Sequence, residues 1–302
     1  MGIKNFYKFI EKYCPSAIKS TNITDYKKSI IGIDANLMVH KIVFAIRKNG
    51  YDIQNNGINV THIHGLLLKF KVFEKLNIKP VFVFDGEMPA IKSGEINKRK
   101  IFWQKLNEKY VTTQDKKYYY AKSPITDLEL EECKKLIRIC GYNVIEAPEE
   151  ADSQLAQLIK NNLINYVASD DMDILLFGSD ILLKKFTTSS KKKIQEINLE
   201  TLKSILNISQ NDLIKLGVLL GSDYCDNTPI SINKAYKIIK NIEPNDIENK
   251  CGQAIEHFKK PKNINITKLK ERKFSKNKLV EFLKSFQFSN DYVSKILENF
   301  EK

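Results

Sequence analysis

Five short apolar, β-branched runs punctuate the chain: Ile30–Ile33, Val81–Phe84, Tyr142–Ile145, Tyr166–Ala168 and Ile181–Lys185. Runs of this length and composition predict buried strands. Between them, apolar positions recur at helical spacing over Ile58–Leu76, Leu128–Ile139 and Ser153–Lys160. The alternation predicts an α/β fold, with a mostly parallel central sheet flanked by helices on both faces. Right-handed crossovers then bring the strand C-termini to one edge, where sites form in such sheets. After Gly221 the pattern changes to short helices, clearest over Ile230–Ile239 and Lys278–Phe286, with one more beyond Asp291.

The positions of the acids change this picture most. Asp34 closes the first apolar run and Asp85 the second. Glu149, Glu150 and Asp152 follow the third, Asp170, Asp171 and Asp173 the fourth, and Asp223 lies in Leu219-Leu-Gly-Ser-Asp223-Tyr224. One Asp after a strand is ordinarily a turn former or a helix N-cap. Four sheet segments ending in acid would gather six or seven anions at one edge. At an effective dielectric of ~20, two unit charges about 4 Å apart repel by roughly 4 kcal/mol, so such an edge calls for bound cations. All-oxygen sites without His or Cys select Mg²⁺ or Mn²⁺. Two such ions suit in-line phosphoryl displacement, which points to a divalent-metal phosphodiesterase.

Residues 86–122 break the strand–helix rhythm. Nine Lys/Arg stand there against four acids, interleaved with Phe102, Trp103, Tyr110, Tyr118, Tyr119 and Tyr120. This composition fits either a solvated amphipathic insertion or an element that tracks phosphates and stacks on bases. The stretch Thr267–Lys278 is also strongly basic. Over all 302 residues, 49 Lys+Arg against 36 Asp+Glu give a net charge of +13. That excess favours a polyanionic partner. Only four of the basic residues are Arg (47, 99, 138 and 272), and Lys, Ile and Asn are abundant, so part of the excess reflects an A+T-rich coding bias.

Cys14, Cys133, Cys140, Cys225 and Cys251 include no Cys-x-x-Cys pair, which excludes a zinc signature. An odd, scattered set predicts buried free thiols in a reducing compartment. Lys4, Lys8, Glu11 and Lys12 interrupt the start, and no apolar run is long enough to span a bilayer. The expectation is a soluble intracellular protein with no membrane contact.

At these residues the chain resembles flap endonucleases and the wider structure-specific 5′-nuclease superfamily. The likeness runs through Met1-Gly2-Ile3, Ile33-Asp34-Ala35, Lys79-Pro-Val-Phe-Val-Phe-Asp85-Gly86 and Lys92-Ser-Gly-Glu-Ile-Asn-Lys-Arg99. It continues through Ala147-Pro-Glu-Glu-Ala-Asp152, Asp170-Asp-Met-Asp173-Ile-Leu-Leu-Phe-Gly178 and Leu219-Leu-Gly-Ser-Asp-Tyr-Cys225. These ordered motifs cover residues 1–240, with weaker likeness to the end. The resemblance implies a PIN-like nuclease core over residues 1–220, a helical arch at 86–122, and a helix-hairpin-helix-like duplex-binding region with C-terminal helices over 221–302. It implies two Mg²⁺ ions, with Mn²⁺ as a substitute. Asp34, Asp85, Glu150 and Asp152 would serve one ion, and Asp171, Asp173 and Asp223 the other. Lys92 and Arg99 would contact the scissile phosphate, while Arg47, Lys69 and Gly221 match DNA-contacting positions.

Three departures stand out. Thr228-Pro-Ile-Ser-Ile-Asn-Lys234-Ala235 replaces the family's Gly-x-Gly hairpin, which puts a monovalent-ion site and the downstream-duplex grip in doubt; Asn233 and Lys234 could substitute in part. His40 stands where a tyrosine usually stacks on a base. The sequence ends at Lys302 without the family's clamp-docking tail. Together with the Lys/Asn/Ile bias, these suggest a divergent or viral member.

The implied function is hydrolysis of DNA at a 5′ flap, free 5′ end or branch by a monomer acting in replication, repair or recombination. Its place would be the nucleus or, for a viral protein, a cytoplasmic replication site. The alternatives are a 5′-3′ exonuclease or junction resolvase of the same superfamily, an RNA-cleaving relative, and a non-catalytic DNA-binding scaffold.

Overall fold

The computed structural model describes residues 2–301 apart from 4, 226, 227 and 243–245. Met1, the first residue of one matched motif, lies outside the described residues. The strands are β1 (Ile18–Thr21), β2 (Ile30–Asp34), β3 (Gln54–Asn55), β4 (Ile58–Asn59), β5 (Lys79–Phe84), β6 (Asn143–Glu146), β7 (Tyr166–Ala168), β8 (Ile181–Lys184) and β9 (Ile194–Asn198). The first helices are α1 (Phe6–Tyr13), α2 (Ala35–Arg47), α3 (Thr61–Leu76), α4 (Ser93–Thr113), α5 (Asp127–Ile139) and α6 (Ala151–Lys160). They are followed by α7 (Asp173–Leu176), α8 (Leu199–Leu206), α9 (Gln210–Gly221), α10 (Ile232–Ile239), α11 (Ile247–Lys259), α12 (Lys276–Ser285) and α13 (Asn290–Leu297).

Seven strands form one sheet in the order β1-β9-β8-β7-β2-β5-β6. The five from β8 to β6 are parallel, and β9 and β1 close one side antiparallel. The four strands that precede the acids, β6, β5, β2 and β7, are consecutive neighbours, so their C-terminal ends lie side by side.

Strand alternation divides the core. Val81 and Val83 face one layer with Leu155, Val167, Leu182 and Ile197; Phe82 and Phe84 face the other with Ile31, Ile33, Leu183 and Ile194. The first layer takes in α1, α6, α9, α10 and α11, the second α2, α3, α5, α12 and α13. The helices after Gly221 are thus shared between the two faces of the sheet and build on the same cores as the strands.

Two expectations are corrected. The helix expected from Ile58 begins at Thr61, because Ile58 and Asn59 pair with Gln54 and Asn55 across a turn in which Asn56 and Gly57 take positive φ (46° and 86°). Free thiols are found only at Cys14, Cys133 and Cys140: Cys225 and Cys251 form a disulfide, with Cα atoms 5.7 Å apart. Sequence spacing could not reveal it, since the folding of α11 against the end of α9 is what brings the pair together. Among the described residues no helix is long and apolar enough to cross a membrane.

Candidate active site

Asp34 serves two purposes at the end of β2. It is the N-cap of α2, its Oδ1 accepting the Leu37 N–H at 2.9 Å. Its Oδ2 faces the next strand end and accepts the Ser169 hydroxyl at 3.3 Å. Asp85 follows β5 and accepts the Ala151 N–H at 2.9 Å, which ties the start of α6 to the β5 end. Gly86 permits this approach: a Cβ there would lie 2.0 Å from the Ala147 carbonyl. The start of α6 carries Glu150 and Asp152, and the turn after β7 carries Asp171, whose Oδ1 accepts the Asp173 N–H at 3.0 Å.

Asp34, Glu150, Asp152, Asp171 and Asp173 are all buried, Asp173 completely. Burial, reinforced by Asp85, pushes the Asp34 carboxyl up to about 7. Burial also raises Asp85, Asp152 and Asp173, and in each case neighbouring acids of this set add to the rise. The mutual repulsion is the electrostatic sign that these residues converge. Asp223 joins them from the end of α9 through its repulsion of Asp173.

Two basic side chains from the arch enter this cluster. Lys92, 8% exposed, bonds Glu150 Oε1 and lies 4.0 Å from Asp173 Oδ2. Its ammonium sits 4.2 Å from the Tyr224 ring centroid. Burial opposes its charge, but Asp173, Glu150 and Asp171 outweigh this and raise its pKa. Two turns along α4, Arg99 bonds Asp223 and lies 3.6 Å from Glu95. Among the described residues, no three acid, imidazole or thiol groups close into a chelate as they stand. The cluster does leave Asp152 Oδ1 and both Asp173 oxygens buried without hydrogen-bond partners. Orphaned carboxylate oxygens in an all-oxygen donor set fit a hard divalent cation.

Sequence reading missed three residues here. The Gly2 backbone, at φ +72°, lies so close to Asp171 that a Cβ would meet Oδ1 at 1.9 Å. The Tyr224 hydroxyl bonds Glu150, and the His257 imidazole lies against both. Gly2 and Tyr224 fall in matched motifs without a chemical signal of their own, and nothing in the sequence marks His257.

The remaining candidates separate. Lys69 is half-buried and reaches Thr188 Oγ1 at 3.2 Å; burial, Lys41 and Lys192 lower its pKa. His40 is exposed on α2, and Lys234 is exposed on α10. Asn233 is engaged by Lys12 at 2.6 Å and Tyr13 at 2.9 Å, so it packs against α1. Gly221 ends α9 with φ +102°, a left-handed position that suits glycine. No positive φ occurs over 228–231, in keeping with the missing hairpin glycines.

Arg47 is 3% exposed, with Nε 2.7 Å from Asp52 and Nη1 2.5 Å from the Ser123 carbonyl. Asp52 also accepts the Tyr119 hydroxyl at 3.0 Å, so Arg47 ties the end of α2 to the stretch around 119–123. In the arch, α4 buries no residue. Some of its aromatic rings pack locally, Trp103 on Tyr120 at 6.0 Å and Tyr110 on Tyr119 at 5.5 Å. Phe102 remains 57% exposed.

The family model of the XPG N-terminal domain matches residues 1–105, and that of the XPG I-region residues 141–223. Flap endonuclease 1 of Monosiga brevicollis is 35% identical over 251 residues, covering 80% of this chain and 68% of that protein. Flap endonuclease 1 of Nematostella vectensis is 35% identical over 236 residues, covering 75% of this chain and 63% of the relative. The chain thus spans about two thirds of the length of these relatives. The catalytic core of Rad2 in complex with DNA substrate superposes with a TM-score of 0.74 at 18% identity, covering 99% of both chains. Flap endonuclease-1 from Methanococcus jannaschii superposes with a TM-score of 0.71 at 22% identity, covering 94% of this chain and 95% of that one. The solved structures agree in fold, and the sequence matches fall on the segments that supply the acids, so the chain belongs to the flap endonuclease and structure-specific 5′-nuclease superfamily.

Proposed function

We propose that the protein is a structure-specific 5′ nuclease that hydrolyses DNA phosphodiesters at 5′ flaps or 5′ ends with Mg²⁺, leaving a 5′-phosphate and a 3′-hydroxyl. The observation that carries this reading is the convergence of the acids at the ends of four adjacent strands, with Lys92 and Arg99 among them. Asp34, Asp85, Glu150 and Asp152 would hold one Mg²⁺, and Asp171, Asp173 and Asp223 the second. When bound, the pair supplies a more acidic water and charge neutralisation at the leaving oxygen. Lys92 and Arg99 bind and orient the scissile phosphate and offset its growing charge. Lys69 and Gly221 serve as duplex contacts, with Lys234 and His40 as peripheral ones. Residues 86–122 form the arch that receives the single-stranded 5′ end, and residues 221–302 carry the duplex grip. The protein works as a monomer, in the nucleus or, if viral, at a cytoplasmic replication site.

The test is Mg²⁺-dependent digestion of 5′-labelled flap, nicked, blunt-ended and four-way-junction DNA at several salt concentrations. Cleavage of the flap should exceed that of the junction. Affinity should fall steeply with salt as phosphate contacts release counterions. Preferred cutting of the blunt end or junction would move the protein to the exonuclease or resolvase branch. No Mg²⁺-dependent cutting of any of these DNAs would leave an RNA-cleaving relative or a non-catalytic scaffold.

The raised carboxyl of Asp34 gives a second expectation. Its folded pKa, about 7, exceeds the ordinary 3.8, so its contribution to stability is complete below about pH 4 and is lost as pH rises through about 7. In EDTA the melting temperature should therefore fall between about pH 5 and pH 8, and Mg²⁺ should raise it more at the higher pH. A melting temperature that is flat in EDTA over this range would contradict a mutually repelling acid pocket.

A further inference from the structure

His257 comes from α11, far in sequence from every acid of the cluster. Its side chain is 15% exposed and packs against aromatic rings: Tyr224 at 4.7 Å, Phe177 at 5.9 Å and Phe258 at 6.2 Å. Its Nε2 lies 3.5 Å from Glu150 Oε2, the same oxygen that accepts the Tyr224 hydroxyl. Lys92 holds the other oxygen of Glu150. The carboxylate is therefore gripped from two sides, by the arch and by α11. The Cys225–Cys251 disulfide joins the residue after Tyr224 to the kink in α11, six residues before His257.

We propose that His257 is a positioning residue for the metal centre: its Nε2–H fixes the rotation of the Glu150 carboxylate and so sets how tightly the acid pocket takes a divalent cation. The inference rests on the metal-nuclease reading. A packing role alone would need only the ring, and a phenylalanine would satisfy it. An imidazole N–H can orient a carboxylate by donating a hydrogen bond to one of its oxygens.

The test compares His257→Phe, which keeps the ring and removes the donor, with His257→Gln, which places an amide N–H near the former Nε2. Bound Mn²⁺ is measured in DNA-free protein from the loss of the free-ion electron paramagnetic resonance signal. His257→Phe should weaken Mn²⁺ binding about tenfold, and His257→Gln should restore it to within about threefold of wild type. In cleavage assays at limiting Mg²⁺, His257→Phe should lower kcat and leave the KM for DNA unchanged. Wild-type Mn²⁺ affinity in His257→Phe would overturn the proposal and leave His257 as packing. Should that variant fail to fold, His257→Asn, which is too short to reach Glu150, takes its place against His257→Gln with the same outcomes. If Asp171→Ala binds Mn²⁺ as wild type does, the metal-nuclease reading fails first; if only Asp171→Ala loses the ion and His257→Phe does not, this inference fails alone.

Discussion

Asp171→Ala should cut flap DNA at least about 10³-fold more slowly than wild type, since losing several kcal/mol at about 1.36 kcal/mol per tenfold is a drop of this size. Asp171 is buried between Asp34, Asp152 and Asp173, contacts the Gly2 backbone and orients Asp173 through its main-chain N–H. Its removal takes away a carboxylate and loosens a second one. DNA binding should survive, because a lost anion reduces repulsion of the phosphate backbone. Single-turnover cleavage and equilibrium binding, measured side by side, separate the two effects. Cleavage within a few-fold of wild type would remove Asp171 from the metal site.

The double variant Lys92→Ala with Arg99→Ala should slow the chemical step by roughly 10²- to 10³-fold, with a smaller change in Kd. Both side chains are spent on acids in the DNA-free protein, Lys92 on Glu150 and Arg99 on Asp223. Removing Lys92 leaves Glu150 buried with a charge that loses its closest cation. A broken buried pair of this kind costs on the order of 3 kcal/mol, so the variant should also melt earlier in EDTA and recover in Mg²⁺. Arg99 is more than a third exposed and contributes little to that loss. A defect confined to Kd would place the two cations on the DNA path and outside the reacting centre.

The parts of the fold legible in the sequence were those written in continuous apolar runs. β2, β5 and β7 were found because both faces of each are covered, which demands unbroken Ile, Val and Phe. β1 and β9 escaped because the segments Ile-Lys-Ser-Thr and Ile-Gln-Glu-Ile-Asn are half polar, as suits strands at the side of a sheet. The Asn56-Gly57 turn was a usable signal that the helical spacing from Ile58 overrode. The acid cluster was legible because strand ends in a parallel sheet must share an edge. His257 was not, since its approach to Glu150 depends on how α11 docks, and docking follows from packing that no local pattern encodes. Arg47 shows the converse: a matching position gave a residue type, while its burial against Asp52 is settled by the fold of the α2–α3 connection.

The 21-residue helix α4 sends nothing into either core layer. Its outward residues therefore carry little of the protein's thermal stability, and exchanges at positions such as Ile101, Phe102 or Val111 should fall within about 0.5 kcal/mol of neutral. The amino acids along this stretch can therefore be rewritten by selection on a ligand without renegotiating the rest of the fold.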